Sequence, residues 1–132
     1  GRPVVGVRTA SHAYQNWLEF DAQVLGGSYT GHFGSGPTTD VTAADDVAGH
    51  PILAGVPRFD SVGSLYKNTP IADDATLLLN GTTPDSTEPV AWTRLHEGGR
   101  VFYTSLGHQQ DFRDAAFLTL LTNGVSWAAG RL

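Results

Sequence analysis

The sequence predicts an α/β domain in which helices pack on a mixed sheet, and three segments indicate it. The chain opens with an apolar, β-branched run, residues 4–7, which is typical of a strand buried on both faces. It closes with residues 111–129, whose apolar side chains recur at helical spacing. Between them, EPVAWTR and RVFYTSLG flank a turn at residues 97–99 and predict a β-hairpin. Strand–helix units at both ends with a hairpin between them favour a sheet covered by helices.

The first strand is followed by a predicted helix over residues 12–27. Tyr14, Trp17 and Leu18 share a helical face, which Asp21, Val24 and Leu25 continue. Gly26 and Gly27 are suitable C-terminal stops. In the closing helix, the predicted buried face consists of Phe117, Leu120, Leu121, Val125 and Ala128. Trp17 and Trp127 are interpreted as core residues, and Trp92, in a predicted strand, as a core residue or, less simply, a sugar-stacking platform.

The middle of the chain contains shorter predicted elements. The segment SYTGHFGSGPTT is rich in Gly, Ser and Thr and predicts a loop longer than a simple connector. Residues 38–42 predict a short strand, residues 52–55 one helical turn, and residues 76–80 a buried strand. The segment SVGSLYKN fits either a short edge strand or a loop. No internal repeat is visible, so residues 1–132 are interpreted as a single domain.

Composition excludes several classes of function. With 40% hydrophobic and 16% charged residues, the chain is typical of a globular domain. A net charge of −5 and the lack of a basic run argue against nucleic-acid and membrane-surface partners. The absence of cysteine excludes disulfides, thiolate metal sites and a cysteine nucleophile. It leaves the compartment open, since cytoplasm and periplasm or secretion are all compatible. The strand-like opening GRPVVGV suggests an excised or truncated chain.

Two turns at strand ends are the candidate functional segments. In open α/β sheets, ligands bind beyond the carboxyl ends of the strands. That rule selects RTASH, residues 8–12, after the first strand and SLGHQQD, residues 105–111, after the last. Each holds a histidine and precedes a predicted helix N-terminus, which favours anions. His12 and His108 are therefore the candidate acid and base, because imidazole titrates near neutrality.

Arg8, at the end of the first strand, has two interpretations. It could form a structural ion pair with an acid such as Asp111, or it could clamp a carboxylate or vicinal hydroxyls. Tyr66 and Lys67 form a polar pair in a predicted loop and are candidate ligand contacts.

Two further kinds of site stay open. If the glycine-rich loop folds over the strand ends, His12, His32 and His108 could converge on Zn²⁺ or another divalent first-row metal. A serine hydrolase would need Ser11 or Ser105 with a histidine and Asp111, and the sequence has no G-x-S-x-G elbow.

Several stretches together resemble the ThuA-like (trehalose utilisation) family. They occur in one order along nearly the whole chain: PVVGVRTASHAY, VLGGSYTGH, GHPILAGV, SLYKN, EPVAW, GGRVFYTSLGHQQDF and LLTNGVSWAAG. The resemblance implies a fold related to class I glutamine amidotransferases, with a flavodoxin-like, mostly parallel sheet. Arg8 or Thr9 would then stand where those enzymes have cysteine, and His108 where they have the catalytic histidine. Family members also have N-terminal strands, so this chain would be the C-terminal two-thirds of their domain.

The resemblance also implies a function in carbohydrate metabolism, connected with trehalose or related disaccharides and with keto-sugar derivatives. Without cysteine, glutaminase chemistry is excluded, and a sugar-acting isomerase, lyase or hydrolase is the remaining enzyme hypothesis. His12 and His108 would transfer protons, while the substrate-binding residues would be Arg8, Ser11, Tyr66, Lys67 and Gln109. The alternative is a non-catalytic sugar- or partner-binding module on a degenerate amidotransferase-like fold. A sheet edge left open by missing strands would favour a homo-oligomer.

Overall fold

The computed structural model describes residues 1–132 and contains a six-stranded sheet with one long helix. The strands are β1 Val4–Val7, β2 Thr39–Ala43, β3 Phe59–Ser61, β4 Thr76–Thr82, β5 Thr87–His96 and β6 Gly99–Thr104, and the helix is α1 Ala115–Ala128. Single 3₁₀ turns cover Arg8–His12, Pro51–Leu53 and Asp111–Arg113, and one π-helical turn covers Asp21–Leu25. No helix has the length and hydropathy that a bilayer crossing requires.

The sheet is mixed, as predicted, but it is mostly antiparallel. Its order is β1-β6-β5-β4-β2-β3, and only the β1–β6 pair is parallel. The predicted mostly parallel, flavodoxin-like sheet is therefore wrong for these residues. The short connections between β4 and β5 and between β5 and β6 permit only antiparallel pairing, whereas a parallel pair needs a long crossover. The β1–β6 pair has that crossover, because almost the whole chain lies between the two strands.

The predicted hairpin is confirmed by β5 and β6. Their register pairs Leu95 with Arg100 and His96 with Gly99, which leaves a two-residue loop. Both loop residues have positive φ, 50° at Glu97 and 81° at Gly98. This conformation matches the right-handed twist of the paired strands, and it makes the loop a type I′ turn.

The predicted first helix is wrong as a continuous element. Only its last turn forms, and that turn is π-helical and ends where Gly26 adopts φ 87°. Tyr14, Trp17 and Leu18 are exposed, so Trp17 is not a core residue. The physical reason is the small area of sheet available, since only the turn that ends in Leu25 packs on it. A short helix without a packed face has little stability of its own.

The two faces of the sheet carry separate clusters of buried side chains. One cluster joins α1 to the sheet through Phe102, Phe117 and Leu120. The other packs the π-helical turn against the opposite face and consists of Leu25, Trp92, Val101 and Tyr103. The prediction that Trp92 is a core residue is confirmed, and Trp127 is partly buried against the first cluster.

Helix α1 begins later than predicted, and part of its predicted buried face is exposed. The side chain of Asp114 caps it by accepting a hydrogen bond from the N–H of Ala116 at 2.8 Å. Val125 is 48% exposed, which contradicts its predicted burial, because α1 covers the sheet with a narrower stripe than the apolar pattern indicated. Gly124 allows the closest approach of the helix to Phe102 on β6.

Candidate functional site

The turns after β1 and β6 lie side by side, as the sequence predicts. The parallel register pairs Val7 with Thr104, the last residues of the two strands. After β1 the chain enters the 3₁₀ turn that contains His12, and after β6 it enters the loop that contains His108. The structure thus brings two segments from opposite ends of the chain to one edge of the sheet.

Arg8 joins these two turns through its guanidinium, which makes three hydrogen bonds. Nη1 donates to the carbonyl oxygens of Ser105 at 2.8 Å and Ser64 at 3.1 Å, and Nη2 donates to Ser64 Oγ at 3.1 Å. The guanidinium also lies over the ring of Tyr66, 4.2 Å from its centroid. The alternative of an ion pair with Asp111 is wrong, since main-chain oxygens supply the partners. Arg8 therefore holds the strand ends together, and its contact with a ligand stays a prediction.

Asp111 fixes the loop after β6. It is almost fully buried, and its Oδ2 accepts hydrogen bonds from Ser61 Oγ at 2.9 Å, Gly107 N at 2.9 Å and His108 N at 3.1 Å. A carboxylate that accepts several such bonds is a strong local anchor. Asp111 is consequently a positioning group for the loop, and it is not the third member of a serine triad.

His108 lies partly buried at this loop, and the neighbouring Gln109 is exposed. The Nδ1 of His108 accepts a hydrogen bond from Gln110 N at 3.1 Å, so the ring is held against its own turn. Ser105 is buried and makes no side-chain hydrogen bond to a histidine. The side chain of Gln109, a predicted substrate contact, has no hydrogen-bond partner within the chain that would orient it.

Ser11 and His12 form a hydrogen-bonded pair at the tip of β1. Ser11 Oγ lies 3.0 Å from His12 Nδ1, and the serine is buried while the imidazole is half-buried. The imidazole stacks on Tyr29 with ring centroids 4.2 Å apart and an interplanar angle of 11°. The ring centroid of Tyr66 lies 5.9 Å from that of the imidazole, so the predicted residues His12 and Tyr66 belong to one cluster of rings.

A cavity of about 310 Å³ opens beside this pair. Ser11, His12, Leu18, Asp21, Ala22, Gly27, Ser28 and Tyr29 line it. Asp21 and Tyr29 were not among the residues predicted for the site. The sequence signal for Asp21 is its acidic side chain on an otherwise apolar predicted face, in the last turn and a half before the Gly26–Gly27 stop. The long loop that follows supplies Tyr29, and only tertiary folding places it against His12.

Asp21 is the most unusual side chain of the cavity. It is only 7% exposed; Oδ2 accepts a hydrogen bond from Tyr29 N at 2.8 Å, whereas Oδ1 has no partner. Burial raises the pKa of this carboxyl, while the Tyr29 N–H and the nearby His12 oppose the rise. Perturbed carboxyl groups in clefts are candidates for functional residues.

The remaining predicted residues lie apart from this cavity. Lys67 is exposed and its Nζ lies 4.8 Å from the centroid of the Phe33 ring. His32 is also exposed, with Nδ1 2.7 Å from Phe33 O. Tyr66 is buried rather than in an open loop, and burial raises the pKa of its hydroxyl.

The predicted three-histidine metal centre does not form. No group of three His, Asp or Glu side chains in the structure is arranged to hold an ion, so His12, His32 and His108 do not share a ligand. A β-bridge pairs His32 with Tyr66. The donor set therefore does not fit Zn²⁺, and no step of a mechanism is derived through a metal.

The fold and the site define a class: an α/β protein with a mixed sheet and a cavity, lined by polar and apolar side chains, beyond the end of its first strand. The chain matches the ThuA family model, described as trehalose utilisation, over residues 1–128. It therefore belongs to the ThuA family. No curated protein sequence matches it.

Solved structures with the same fold agree with this assignment. A ThuA-like protein from Parabacteroides merdae superposes with a TM-score of 0.71 at 20% identity, over 98% of this chain and 61% of that one. A cytoplasmic protein from Salmonella typhimurium gives a TM-score of 0.59 at 17% identity, over 95% of this chain and 54% of that one. The chain thus spans little more than half the length of these structures, and at such identities they establish the fold alone.

Proposed function

We propose that this chain binds a sugar of disaccharide metabolism, trehalose or a relative including its keto derivatives, in the cavity beside β1. The observation that carries the proposal is the cavity itself, whose lining combines apolar surface with the Ser11–His12 pair and the buried residue Asp21. Its family association with trehalose utilisation supports a sugar as the ligand.

The dimensions and lining of the cavity suit a sugar ring. A volume of about 310 Å³ lies at the lower end of the range for small-molecule sites. Hydroxyl, carboxyl and imidazole groups provide hydrogen-bond partners on one side, and Leu18 and Ala22 provide apolar contact on the other. A sugar offers both kinds of surface, because hydroxyl groups surround a ring with apolar C–H faces.

His12 is the proposed acid–base group. Its Nδ1 is paired with the Ser11 hydroxyl, and its other ring nitrogen has no hydrogen-bond partner in the chain. That nitrogen is free to exchange a proton with a ligand hydroxyl or carbonyl group. His108, on the adjacent strand end, is the proposed second group. Isomerisation, elimination and hydrolysis all use one such acid and one such base.

A non-catalytic binding module is the second candidate. It is favoured by the share of the solved proteins that this chain covers, which is only 61% of one and 54% of the other. A site completed by further chain in those proteins would be partial here. Three of the five N–H groups of Arg8 are also already bonded within the chain, to Ser64 and Ser105.

Titration of the ¹⁵N-labelled chain with trehalose tests the binding proposal. We expect amide shifts confined to residues around the cavity. Ala22→Trp should abolish them, because this exposed rim residue would fill the cavity with an indole. Ala129→Trp, at an exposed position after the end of α1, is the matched control and should bind normally. Absence of cavity shifts at millimolar trehalose, or equal loss in both variants, contradicts the proposal.

The two candidate functions separate in the same experiment. Trehalose and a keto derivative are incubated with the chain and followed by ¹H NMR. If the chain is an enzyme, products form, and His12→Ala and His108→Ala abolish turnover while sugar binding persists. If the sugars bind to the unmodified chain and stay unchanged, the binding-module candidate is correct.

A further inference from the structure

We propose that a second cavity, at the opposite end of the sheet, binds a small hydroxy acid whose carboxylate pairs with Arg100. This cavity has a volume of about 450 Å³, which exceeds that of the cavity beside β1, and the two share no lining residue. Arg100 lies at the start of β6, whereas the first cavity lies beyond the end of β1, which pairs with the end of β6. The second cavity is therefore a separate site of a size that suits a small molecule.

Arg100 has unused hydrogen-bond donors at this cavity. Its Nη1 donates to the carbonyl oxygens of Trp127 at 2.8 Å and Leu132 at 3.3 Å, while Nε and Nη2 have no hydrogen-bond partner within the chain. The guanidinium also lies over the Trp127 ring, 5.0 Å from its centroid, so a ring and main-chain oxygens together hold it in place. The Nε–H and the adjacent Nη2–H form the fork with which a guanidinium binds a carboxylate through two parallel hydrogen bonds.

Thr93 adds a hydroxyl group to the lining. The residue is only 3% exposed, and its hydroxyl makes no hydrogen bond within the chain. That hydroxyl is not among the unpartnered oxygens that the chain closes off from solvent, which are those of Asp21, Thr39 and Asp40. A ligand in the cavity can therefore reach it. Because buried polar groups are normally hydrogen-bonded, an unpaired hydroxyl at the wall of a cavity favours a ligand as its partner.

His50 presents a further donor to the same cavity. Its Nδ1 accepts a hydrogen bond from Ile52 N at 3.2 Å, and burial lowers the pKa of the imidazole, so the ring is neutral at pH 7.5. The single proton of the neutral ring then lies on Nε2, which has no partner within the chain. Arg100, Thr93 and His50 thus offer unused N–H and O–H groups, which are the partners that a carboxylate accepts from.

The charges of the lining match a ligand with one negative charge. Arg100 pairs with no aspartate or glutamate, whereas Arg94 pairs with Asp74 at 2.9 Å and donates to two main-chain carbonyls. His50 is neutral, and no lysine lines the cavity. A carboxylate would therefore be balanced by Arg100 alone. A phosphate dianion would bring a second charge that no unpaired cation of the lining offsets.

The remaining lining suits the body of a hydroxy acid. Trp127 and Leu95 supply apolar surface, and the hydroxyls of Thr76 and Thr93 supply hydrogen-bond partners. A small hydroxy acid carries hydroxyl groups on a chain with C–H surface, so it meets both kinds of lining while its carboxylate lies at Arg100. Gluconate, with one carboxylate and several hydroxyl groups, is a probe of this class.

Titration of the ¹⁵N-labelled full chain with gluconate at pH 7.5, at constant ionic strength, tests the inference. Glucose is the neutral probe of similar size, and glucose 6-phosphate is the dianionic probe. We expect gluconate to shift the indole N–H of Trp127 and the Nε–H of Arg100, and to bind at least about tenfold more tightly than either other probe. Arg100→Gln should weaken gluconate binding at least about tenfold. Arg113→Gln removes the same charge at an exposed position and should leave gluconate binding unchanged.

Thr93→Val separates a ligand contact from a structural role, which matters because Arg100 also bonds the end of α1. The change removes a hydroxyl that has no partner in the chain, so the melting temperature should not fall. Gluconate affinity should nevertheless decrease at least about threefold, because the ligand loses a hydrogen bond.

Several results would overturn the inference. They are the absence of shifts at Trp127 and Arg100 in millimolar gluconate, and binding of glucose or glucose 6-phosphate that is as tight as that of gluconate. Equal loss of affinity in Arg100→Gln and Arg113→Gln, or an unchanged affinity in Thr93→Val, would also contradict it. Because the two cavities share no residue, a failure of trehalose to bind beside β1 would leave these expectations intact.

Discussion

Replacement of Gly124 by alanine sets helix propensity against packing, and the structure decides the sign. Gly124 lies in the interior of α1, where alanine is favoured over glycine by about 1 kcal/mol. From propensity alone, Gly124→Ala should stabilise the protein. A Cβ at this position would, however, lie 2.9 Å from Cγ of Phe102 and closer still to Cδ2 and Cε2. Carbon atoms in good contact are about 3.5–4.0 Å apart.

The packing term is the larger of the two. Phe102 is fully buried at the centre of the cluster that joins β6 to α1, so the ring has no space into which to move. Overpacking of this kind costs about 1–3 kcal/mol or more, because the helix must shift from the sheet. After subtraction of the propensity gain of about 1 kcal/mol, we expect the free energy of unfolding to fall by up to about 2 kcal/mol.

Urea denaturation followed by circular dichroism measures this change. Thr122→Ala, at an exposed position of the same helix, is the control and should be neutral or stabilising by about 0.5 kcal/mol. In a Phe102→Leu background, the clash should be relieved, with a coupling energy of at least about 1 kcal/mol in the double-mutant cycle. A Gly124→Ala protein more stable than the parent would refute the packing argument.

Three further outcomes follow from single buried groups. Asp111→Ala leaves three donors without their acceptor and should lower the free energy of unfolding by about 2–4 kcal/mol, measured by urea denaturation. Trp92→Phe removes the hydrogen bond to Leu25 O and should cost about 2 kcal/mol, with earlier loss of amide protection in the π-helical turn by hydrogen exchange. The raised pKa of Asp21 means that the folded state holds this proton more tightly than the unfolded state, so stability decreases as pH rises above about 4. Asp21→Asn should therefore gain in melting temperature relative to the parent between pH 4 and 7, and a constant difference across that range would contradict the shift.

Part of the fold was predictable because some segments carry strong local signals. The hairpin of β5 and β6 has two apolar strands around a Glu97–Gly98 turn, and both its existence and its position are confirmed. The first helix was not predictable, because its apolar pattern does not reveal how much sheet is available to cover it. Only the turn ending in Leu25 packs on the sheet, and Trp17 is exposed.

The candidate site was partly predictable for a similar reason. His12 and His108 follow the first and last strands, and the rule on strand ends selects both turns without coordinates. The same rule does not show which side chains already have hydrogen-bond partners within the chain. For Arg8, the sequence does not show that the guanidinium donates to the carbonyl oxygens of Ser64 and Ser105. Long-range partners of this kind leave no local pattern in the sequence.

The sequence by itself determined the family, the α/β class, the exclusion of cysteine chemistry and the two strand-end turns. These properties reside in composition and in contiguous motifs, which need no knowledge of distant contacts. The tertiary structure alone decided the direction of the strands, the burial of Asp21 and the stacking of Tyr29 on His12. Each of these depends on segments that meet only after folding, where packing and desolvation, rather than local propensity, set the free energy.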